Sequence, residues 1–298
     1  MNIKISVKDR ETGAIFIESL SISNILYNLY KKPKGFWWGL RHLLAKPFIS
    51  RIVGWWAHTA ASKKHIEPFI QQHAIDPTEF QNTNFTSFSA FFVRQLKATA
   101  RPLAPPACIV PCDARVLAYD SYNAAKGIVV KGEKFSLNEF LGASYEEPYS
   151  NGPLVVLRLA PCDYHRFHAP VDCIPQEPHL INGKLFSVNP FALQADFTIF
   201  TQNKRIVIPL ETEAFGRVLL VAIGATSVGS IQMTYTPGEQ CIKGQELGYF
   251  DLGGSSIVLC FLPHRLQLDC DLIETTQIEG IEMRCKLGQS LARHMDAL

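Results

Sequence analysis

The sequence predicts an α+β fold in which a mainly antiparallel β core follows a helical amino-terminal region. Before residue 80, apolar residues recur at intervals of three and four, the spacing typical of amphipathic helices. After residue 107, short β-branched runs stand between turn residues, which is typical of antiparallel strands. Long amphipathic helices do not alternate with these runs, and this argues against a doubly wound parallel sheet.

The amino-terminal part is predicted to be largely helical after an initial hairpin. Residues 1–20 alternate between apolar and polar side chains, as the strands of a hairpin do. Residues 21–80 follow the helical period, and a further short helix is predicted over residues 82–96. The prolines at positions 102, 105 and 106 indicate an extended linker.

The β-rich core is predicted to follow that linker. We therefore divide the chain into a largely helical region, residues 1–100, and a core, residues 101–298. The core strands are predicted at short apolar runs bounded by turn residues: 128–130, 154–157, 205–208, 218–223 and 257–259.

Composition argues against several classes of protein. The chain has 298 residues and is 47% hydrophobic, enough for a substantial core. The formal net charge of +2 gives no reason to expect a nucleic-acid partner. The eight cysteines show neither a CxxC pair nor zinc spacing, so we interpret them as reduced thiols of a cytosolic protein and expect no metal. Neither a signal peptide nor an apolar run of roughly 18 residues is visible, so no spanning helix is expected.

One amino-terminal segment combines cations with aromatic residues. Between Glu18 and Glu67 there is no acidic residue, but there are eight lysines or arginines and all four tryptophans of the chain. Cations and interfacial aromatics on short helices favour an anionic bilayer surface. The helical region is therefore predicted to associate peripherally with a membrane. A helical packing layer with a solvated basic face is the alternative.

A serine near the carboxyl terminus follows two glycines, in the sequence Gly-Gly-Ser-Ser at residues 253–256. It stands between two strand-like runs. To attack the peptide bond before it, Ser255 would need a backbone that can be strained and a carbonyl that can be approached closely. Glycines provide both, because they have no side chain. Taken alone, the same pattern is more often a turn or a bulge.

Three further residues complete a set that can move protons and attack a carbonyl. They are Asp113, after a proline and a cysteine, and the two histidines His165 and His168 of a Tyr-His-Arg-Phe-His segment. A serine is a weak nucleophile at neutral pH, and a histidine oriented by a carboxylate can act as its base. The histidines alone could lie on a surface loop or bind a metal, but no third ligand stands at a suitable spacing.

These residues resemble the signatures of the phosphatidylserine decarboxylase family, whose members are self-cleaving pyruvoyl enzymes. The resemblance runs from about Phe85 to Phe261, and its blocks stand in the family's order. Besides the residues already named, the blocks are 91–97 followed by 101–102, 131–137, 183–190, 203–205, 224–231 and 243–248. The departures are slight: the family's usual Leu-Gly-Ser-Thr is Gly-Gly-Ser-Ser here, and Ala114 and Cys173 stand where glycine is frequent.

The resemblance implies that the chain is made as a proenzyme. Ser255 Oγ would attack the carbonyl of Gly254, and the resulting ester would undergo β-elimination. Hydrolysis would then leave ammonia and a pyruvoyl group at position 255. The products would be a β chain, residues 1–254, and an α chain, residues 255–298, that stay together.

The roles of the site residues follow from the same resemblance. His168, oriented by Asp113, is the predicted base for self-cleavage, and His165 is the predicted proton donor for decarboxylation. The pyruvoyl group would form a Schiff base with phosphatidylserine, release carbon dioxide and yield phosphatidylethanolamine. Three nearby cations could bind the lipid phosphate or form ordinary salt bridges: Arg94, Lys97 and Arg101.

The implied partner is phosphatidylserine in an anionic membrane, at the cytoplasmic face of the cell membrane. A homo-oligomer is left open. A pyruvoyl decarboxylase for a soluble amino acid or S-adenosylmethionine would lack the histidine block and the basic, tryptophan-bearing segment. A serine hydrolase would need a Gly-x-Ser-x-Gly elbow, whose last position is Ile257 here. A non-enzymatic membrane-binding module would not be expected to keep all four site residues.

Overall fold

The computed structural model describes residues 2–21, 24–31, 35–105, 108–121, 137–142, 146–196, 198–225, 231–253 and 255–295. Several positions considered above lie outside these ranges: Gly254, Pro106, two of the eight cations of the basic segment (Lys32 and Lys34), the predicted strand at 128–130, and most of the blocks 131–137 and 224–231.

The described residues form the following strands: β1 (Asn2–Asp9), β2 (Ile15–Ser21), β3 (Cys108–Ile109), β4 (Ala114–Tyr119), β5 (Leu154–Leu159), β6 (Arg166–His168), β7 (Ile174–Pro175), β8 (His179–Ile181), β9 (Arg205–Thr212), β10 (Gly216–Ile223), β11 (Ile231–Met233), β12 (Glu246–Phe250), β13 (Ser255–Cys260), β14 (Leu266–Leu268), β15 (Glu282–Cys285) and β16 (Ser290–His294). The α-helices of the same ranges are α1 (Asn24–Lys31), α2 (Phe36–Leu44), α3 (Pro47–His58), α4 (Ile66–His73), α5 (Phe88–Phe92), α6 (Leu137–Leu141), α7 (Glu146–Tyr149), α8 (Pro190–Ala195), α9 (Ile199–Gln202) and α10 (Cys270–Ile273). Short 3₁₀ segments lie at Ala60–His65, Pro77–Glu79 and Ala98–Ala100, and a π turn lies at Glu274–Ile278.

Ten strands form one large sheet in the order β2-β1-β15-β4-β5-β13-β10-β9-β7, with β8 also paired to β9. Its pairs are antiparallel except for β1 with β15. The central strands β5 and β13 bury every residue, because their nearly continuous apolar runs are covered on both faces. The prediction of an α+β fold with a mainly antiparallel core is confirmed.

The predicted hairpin of residues 1–20 is confirmed as β1 and β2, which pair antiparallel along their length. The hairpin also belongs to the large sheet, because β1 pairs in parallel with β15, with Val7 opposite Glu282. The amino-terminal strands therefore add to the β core. A division of the chain at residue 100 stays a prediction.

The predicted helices of residues 21–80 are confirmed as α1 to α4. Their inner side joins the main core through residues such as Leu29 and Ala45. Arg41 departs from the predicted basic surface, because it is buried and paired with Asp196. The outer side of α2 and α3 exposes large apolar side chains: Phe36, Trp38, Leu43, Phe48, Ile52, Val53, Trp55 and Trp56. None of the described helices is both long and apolar enough to cross a bilayer.

The helix predicted over residues 82–96 is shorter than expected and is limited to α5. Residues 82–84 instead form a turn, in which the Asn82 side chain accepts a hydrogen bond from the backbone N–H of Asn84 (2.9 Å). Ser87 then caps the helix, because its Oγ accepts a hydrogen bond from a backbone N–H of the first turn (3.2 Å).

The candidate site lies in the middle of the large sheet, where the central strand β5 ends and the neighbouring strand β13 begins. Leu159 at the end of β5 is paired with Ser255 at the start of β13. The chain leaves β5 through a short loop into β6, and β6 pairs with β12 in a second sheet. β12 then leads back to β13 through residues 251–253. The ends of β5 and β12 and the start of β13 therefore meet.

Candidate active site

Ser255 begins β13 at the centre of the large sheet, and its side chain is completely buried. The chain approaches it through Leu252 and Gly253, whose φ angles are 145° and 95°. A positive φ is ordinary for glycine but strained for leucine, and such strain is typical of functional segments. Gly254, the other residue of the predicted cleavage site, lies outside the described residues. The buried hydroxyl therefore follows a strained stretch of backbone.

His165 is the histidine that contacts this serine. Its Nδ1 lies 3.4 Å from Ser255 Oγ, and its Nε2 lies 3.0 Å from the carbonyl oxygen of Ala160. A carbonyl oxygen can only accept, so Nε2 carries the proton of the neutral ring and Nδ1 accepts from the serine hydroxyl. Burial, with a further contribution from the positive charge of Arg94, lowers the pKa of His165 to about 3. The imidazole is therefore neutral near pH 7, with its free nitrogen directed at Ser255.

The loop that carries His165 is held from several sides. The Asp163 carboxylate accepts a hydrogen bond from the Ala160 N–H (2.7 Å) and also pairs with Arg115. The ring of Phe92 stacks on the imidazole, with 4.1 Å between the ring centroids. Together with the bond from Nε2 to Ala160, these contacts fix the orientation of the imidazole.

His168 lies on β6, and it is also buried. The ring of Tyr164 stacks on its imidazole, with 5.7 Å between centroids. Burial is the main cause that lowers the pKa of His168 to about 4, so this ring is also neutral near pH 7. Its Nδ1 is buried and has no hydrogen-bond partner among the described residues.

The carboxylate of Asp113 forms its hydrogen bonds with Arg101 and a backbone N–H, not with His168 as predicted. Its carboxylate accepts hydrogen bonds from Arg101, at 2.9 and 2.7 Å, and from the backbone N–H of Leu287 at 2.8 Å. Within the described residues, no hydrogen bond joins Asp113 to His168 or His165. Its negative charge still favours the protonated form of both imidazoles. The structure thus brings Ser255 and His165 together, and it places Asp113 within electrostatic reach of both histidines.

Two features of the site were not predicted, namely the stacking of Phe92 and the bond to Ala160 O. Phe92 belongs to the block at residues 91–97 that carried part of the family resemblance. The sequence therefore singled out this residue, but it did not predict that the ring would stack on His165. The carbonyl of Ala160 has no signal in the sequence, because every residue has a carbonyl. Of the three cations considered for phosphate, Arg101 forms the ordinary salt bridges of the alternative, with Asp113 and Glu79.

The residues present fit a pyruvoyl group made from Ser255. The hydroxyl is buried, it meets an unprotonated imidazole nitrogen, and strained backbone precedes it. No group of three or more His, Cys, Asp or Glu side chains in the described ranges is arranged to hold a metal ion.

Comparison with known proteins relates this site to one family. The model of the phosphatidylserine decarboxylase family matches residues 88–293. The phosphatidylserine decarboxylase proenzyme of Chlamydia caviae is 41% identical over 298 residues, covering 98% of this chain and 99% of that protein. The proenzyme of the same name from Chlamydia pneumoniae is 40% identical over 290 residues, 96% of each chain. That from Chlamydia felis is 41% identical, with 98% and 99% covered.

Proposed function

The chain belongs to the phosphatidylserine decarboxylase family, and on that premise we propose that it cleaves itself between Gly254 and Ser255 and then decarboxylates phosphatidylserine through a pyruvoyl group. Membership of the family makes the chain a decarboxylase. The pyruvoyl mechanism is the proposed part. The observation that carries it is the 3.4 Å contact between the buried Ser255 hydroxyl and the unprotonated Nδ1 of His165.

Self-cleavage would begin when a base takes the hydroxyl proton of Ser255 and Oγ attacks the carbonyl carbon of Gly254. The peptide C–N bond breaks, the nitrogen of residue 255 takes up the proton, and an ester joins the two segments. Loss of the Cα proton of residue 255 then expels the carboxylate of Gly254 by β-elimination. Hydrolysis of the resulting dehydroalanine releases ammonia and leaves the pyruvoyl group.

We assign the base of self-cleavage to His168, assisted by Asp113. Support comes from the buried, neutral Nδ1 of His168, which has no partner among the described residues, and from the charge of Asp113, which favours its protonated form. The contact between His165 and Ser255 makes His165 the competing candidate for this role. The two assignments differ in which histidine variant stays uncleaved.

We assign the proton transfer of decarboxylation to His165. Its Nδ1 faces the side chain of residue 255, where the pyruvoyl group would bind the substrate amine and accept the electrons released with carbon dioxide. Because Nδ1 is unprotonated, it can take a proton from the ammonium group of the substrate as that amine reacts. It can return the proton to the α-carbon once carbon dioxide has left. The stacked Phe92 ring shields this imidazole from water.

The sheet gives a reason for the two chains to stay together after cleavage. The α chain would begin with β13, which is hydrogen-bonded to β5 on one side and to β10 on the other. The same chain contains β15, which lies between β1 and β4. With the pairing of β16 and β3, separation would break five strand pairings and expose the centre of the core, so the chains should remain associated.

Peripheral binding to the cytoplasmic face of the membrane is the proposed setting. Exposed aromatic and aliphatic side chains on α2 and α3 support it, together with exposed cations such as Lys46 and Arg51. Apolar side chains that enter the interface and cations that meet anionic headgroups act together in this type of binding. Helix α3 lies near the site, because its Ala57 packs with Phe92 and Leu252.

Denaturing intact-mass spectrometry of the purified protein tests the proposal directly. We expect two chains that divide between residues 254 and 255, the smaller one lighter by one ammonia than a peptide that begins with serine. Ser255→Ala should remain a single chain and should not decarboxylate phosphatidylserine. A wild-type chain that stays whole, or a Ser255→Ala protein that still splits there, would contradict the mechanism.

A further inference from the structure

Glu246 lies directly opposite His168 in the second sheet, where β12 pairs antiparallel with β6. Directly opposite residues of antiparallel strands project from the same face, with Cβ atoms about 4.5–5.5 Å apart. The register of the two strands shifts just after this pair. β12 ends at Phe250, whose N–H donates to the carbonyl of His165 (3.0 Å), and the chain then runs to Ser255. A carboxylate therefore stands beside one of the two site histidines, on the strand that leads to the proposed cleavage site.

Arg166 holds the carboxylate of Glu246. It lies two residues before His168 on β6, and residues two apart on a strand share a face. Its Nη1 donates to both carboxylate oxygens of Glu246, at 2.8 Å each. Its Nε donates to the carbonyl of Val93 at 2.8 Å, and its guanidinium lies over the ring of Tyr249, 4.9 Å from the centroid. His168 thus shares one face of the paired strands with both members of an ion pair.

Four ionisable side chains bear on the imidazole of His168: Glu246 on β12, Arg166 on β6, Tyr164 in the preceding loop and Asp113 before β4. Burial lowers the pKa of His168 to about 4, and the negative charge of Glu246 opposes this lowering more than that of Asp113 does. The positive charge of Arg166 adds to the lowering. Tyr164 stays neutral, because burial raises its pKa to about 12. Glu246 and Arg166 therefore act on the imidazole with opposite signs.

We propose that Glu246 is a positioning residue of self-cleavage, the carboxylate that stabilises the imidazolium form of His168 while this base holds the proton of Ser255. The inference rests on the proposed function, in which His168 is the base. A buried imidazole takes up a proton at a cost in free energy, and a fixed carboxylate beside it lowers that cost. The contact with Arg166 keeps the carboxylate in place. Asp113 acts in the same direction with a smaller effect.

Breaking the ion pair from either side separates an electrostatic role from a structural one. E246Q and R166Q remove the same ion pair, so any loosening of β6 and β12 is common to both variants. E246Q leaves the cation of Arg166 beside His168, which disfavours the imidazolium form and should lower the pKa further. R166Q leaves the anion of Glu246, which should raise the pKa. Loosening alone would admit water in both variants and would raise the pKa in both towards its usual value near 6.5.

Nitrogen-15 NMR of the uncleaved Ser255→Ala chain measures the pKa of His168, and the spectrum of a chain that also carries His168→Gln assigns its resonances. We expect E246Q to lower this pKa by about one pH unit, a tenfold change in the protonation equilibrium, so that the imidazole stays neutral down to pH 4.5. R166Q should raise the pKa by a similar amount. E211Q breaks a half-exposed glutamate–arginine pair on the hairpin of β9 and β10, and this matched control should leave the pKa unchanged.

The rate of chain division in newly synthesised protein tests the role of Glu246 in self-cleavage. We expect E246Q to slow division by about tenfold, because the proton of Ser255 then passes to a weaker base. E246D keeps the charge but withdraws it by one methylene, so its rate should lie between those of E246Q and wild type. E211Q should divide at the wild-type rate.

Two results would overturn the inference. A pKa of His168 that is unchanged in both E246Q and R166Q, or raised in both, would mean that the ion pair only supports the fold. A lower pKa in E246Q with an unchanged rate of division would mean that the carboxylate has no part in self-cleavage. If E246Q does not fold, E246D carries the same comparison with smaller changes. Failure of the proposed function is distinct, because wild type would then stay whole or His168→Gln would still divide, whereas the pKa comparison uses a chain that cannot divide.

Discussion

The imidazole of His58, at the end of α3, lies 3.2 Å from the carboxylate of Asp251, in the segment that leads to Ser255. Ser89 of α5 donates to the other carboxylate oxygen at 2.8 Å. The helix that exposes tryptophans is therefore connected to the backbone that precedes the proposed cleavage site. If binding to a bilayer moved α3, this contact would pass the movement to the segment before Ser255.

This connection predicts that Asp251→Asn slows self-cleavage. The amide keeps an oxygen that can accept from Ser89 but is a weaker acceptor than the carboxylate for His58 Nε2, so the segment before Ser255 is less firmly held. Because the pair is partly exposed, we expect a moderate effect, roughly three- to tenfold, or up to about 1.4 kcal/mol in the barrier. The rate of chain division in newly synthesised protein measures it. Asp120→Asn, at an exposed residue bonded to Gln277, is the matched control; equal rates for both variants would contradict a role for the contact.

The exposed face of α2 and α3 predicts weaker membrane binding when its aromatics are removed. Trp55 is 72% exposed, so Trp55→Ser should cost little folding stability but weaken binding to anionic vesicles by about tenfold, or ~1.4 kcal/mol. Vesicle sedimentation at fixed salt measures the affinity. Ile278→Ser is the control, since Ile278 is 80% exposed but lies outside this face. Equal losses for both variants would show that the face has no special role.

The two histidines are predicted to fail at different stages. His168→Gln should leave one unbroken chain, because the proposed base of self-cleavage is lost. His165→Gln should divide into two chains but decarboxylate phosphatidylserine at least a hundredfold more slowly, the usual loss when an acid–base group is removed. Intact mass and carbon dioxide release separate the two steps. The reverse pattern would give the base role to His165, the histidine that contacts Ser255.

Local pattern predicted the elements whose residues are neighbours in sequence. The hairpin of β1 and β2 follows from alternation, and β5, β10 and β13 follow from apolar β-branched runs. The helix over residues 82–96 was predicted too long, because Ser87 caps α5 at one end and the residues beyond the other end pair with residues 80–81. The parallel pairing of β1 with β15 could not be predicted, since it joins opposite ends of the chain.

The same distinction applies to the site. Ser255, His165, His168 and Asp113 were found because their motifs stand in a known order. The contacts among them were not predicted: Asp113 pairs with Arg101, and Ser255 contacts His165. These pairings depend on how the loops pack, which the motifs do not determine. Arg94 and Arg101 were both considered for phosphate, and only the structure shows that Arg101 pairs with Asp113 and Glu79 whereas Arg94 donates to the carbonyls of Cys162 and Asp163.

The lowered histidine pKa values predict acid sensitivity of the fold. Folded-state values of about 3 for His165 and about 4 for His168 lie below the usual value near 6.5, so the unfolded chain binds more protons between these limits. Stability should therefore be unaffected by these groups above pH 6.5 and should fall as the pH drops towards 4, with each unit of pKa shift equivalent to about 1.4 kcal/mol. Denaturant unfolding of the uncleaved Ser255→Ala chain from pH 8 to pH 4.5 measures the slope. Adding His168→Gln should reduce the slope of stability against pH. His294→Gln, at an exposed residue, is the control and should leave the slope unchanged. If His168→Gln does not change the slope, His168 is not buried in its neutral form.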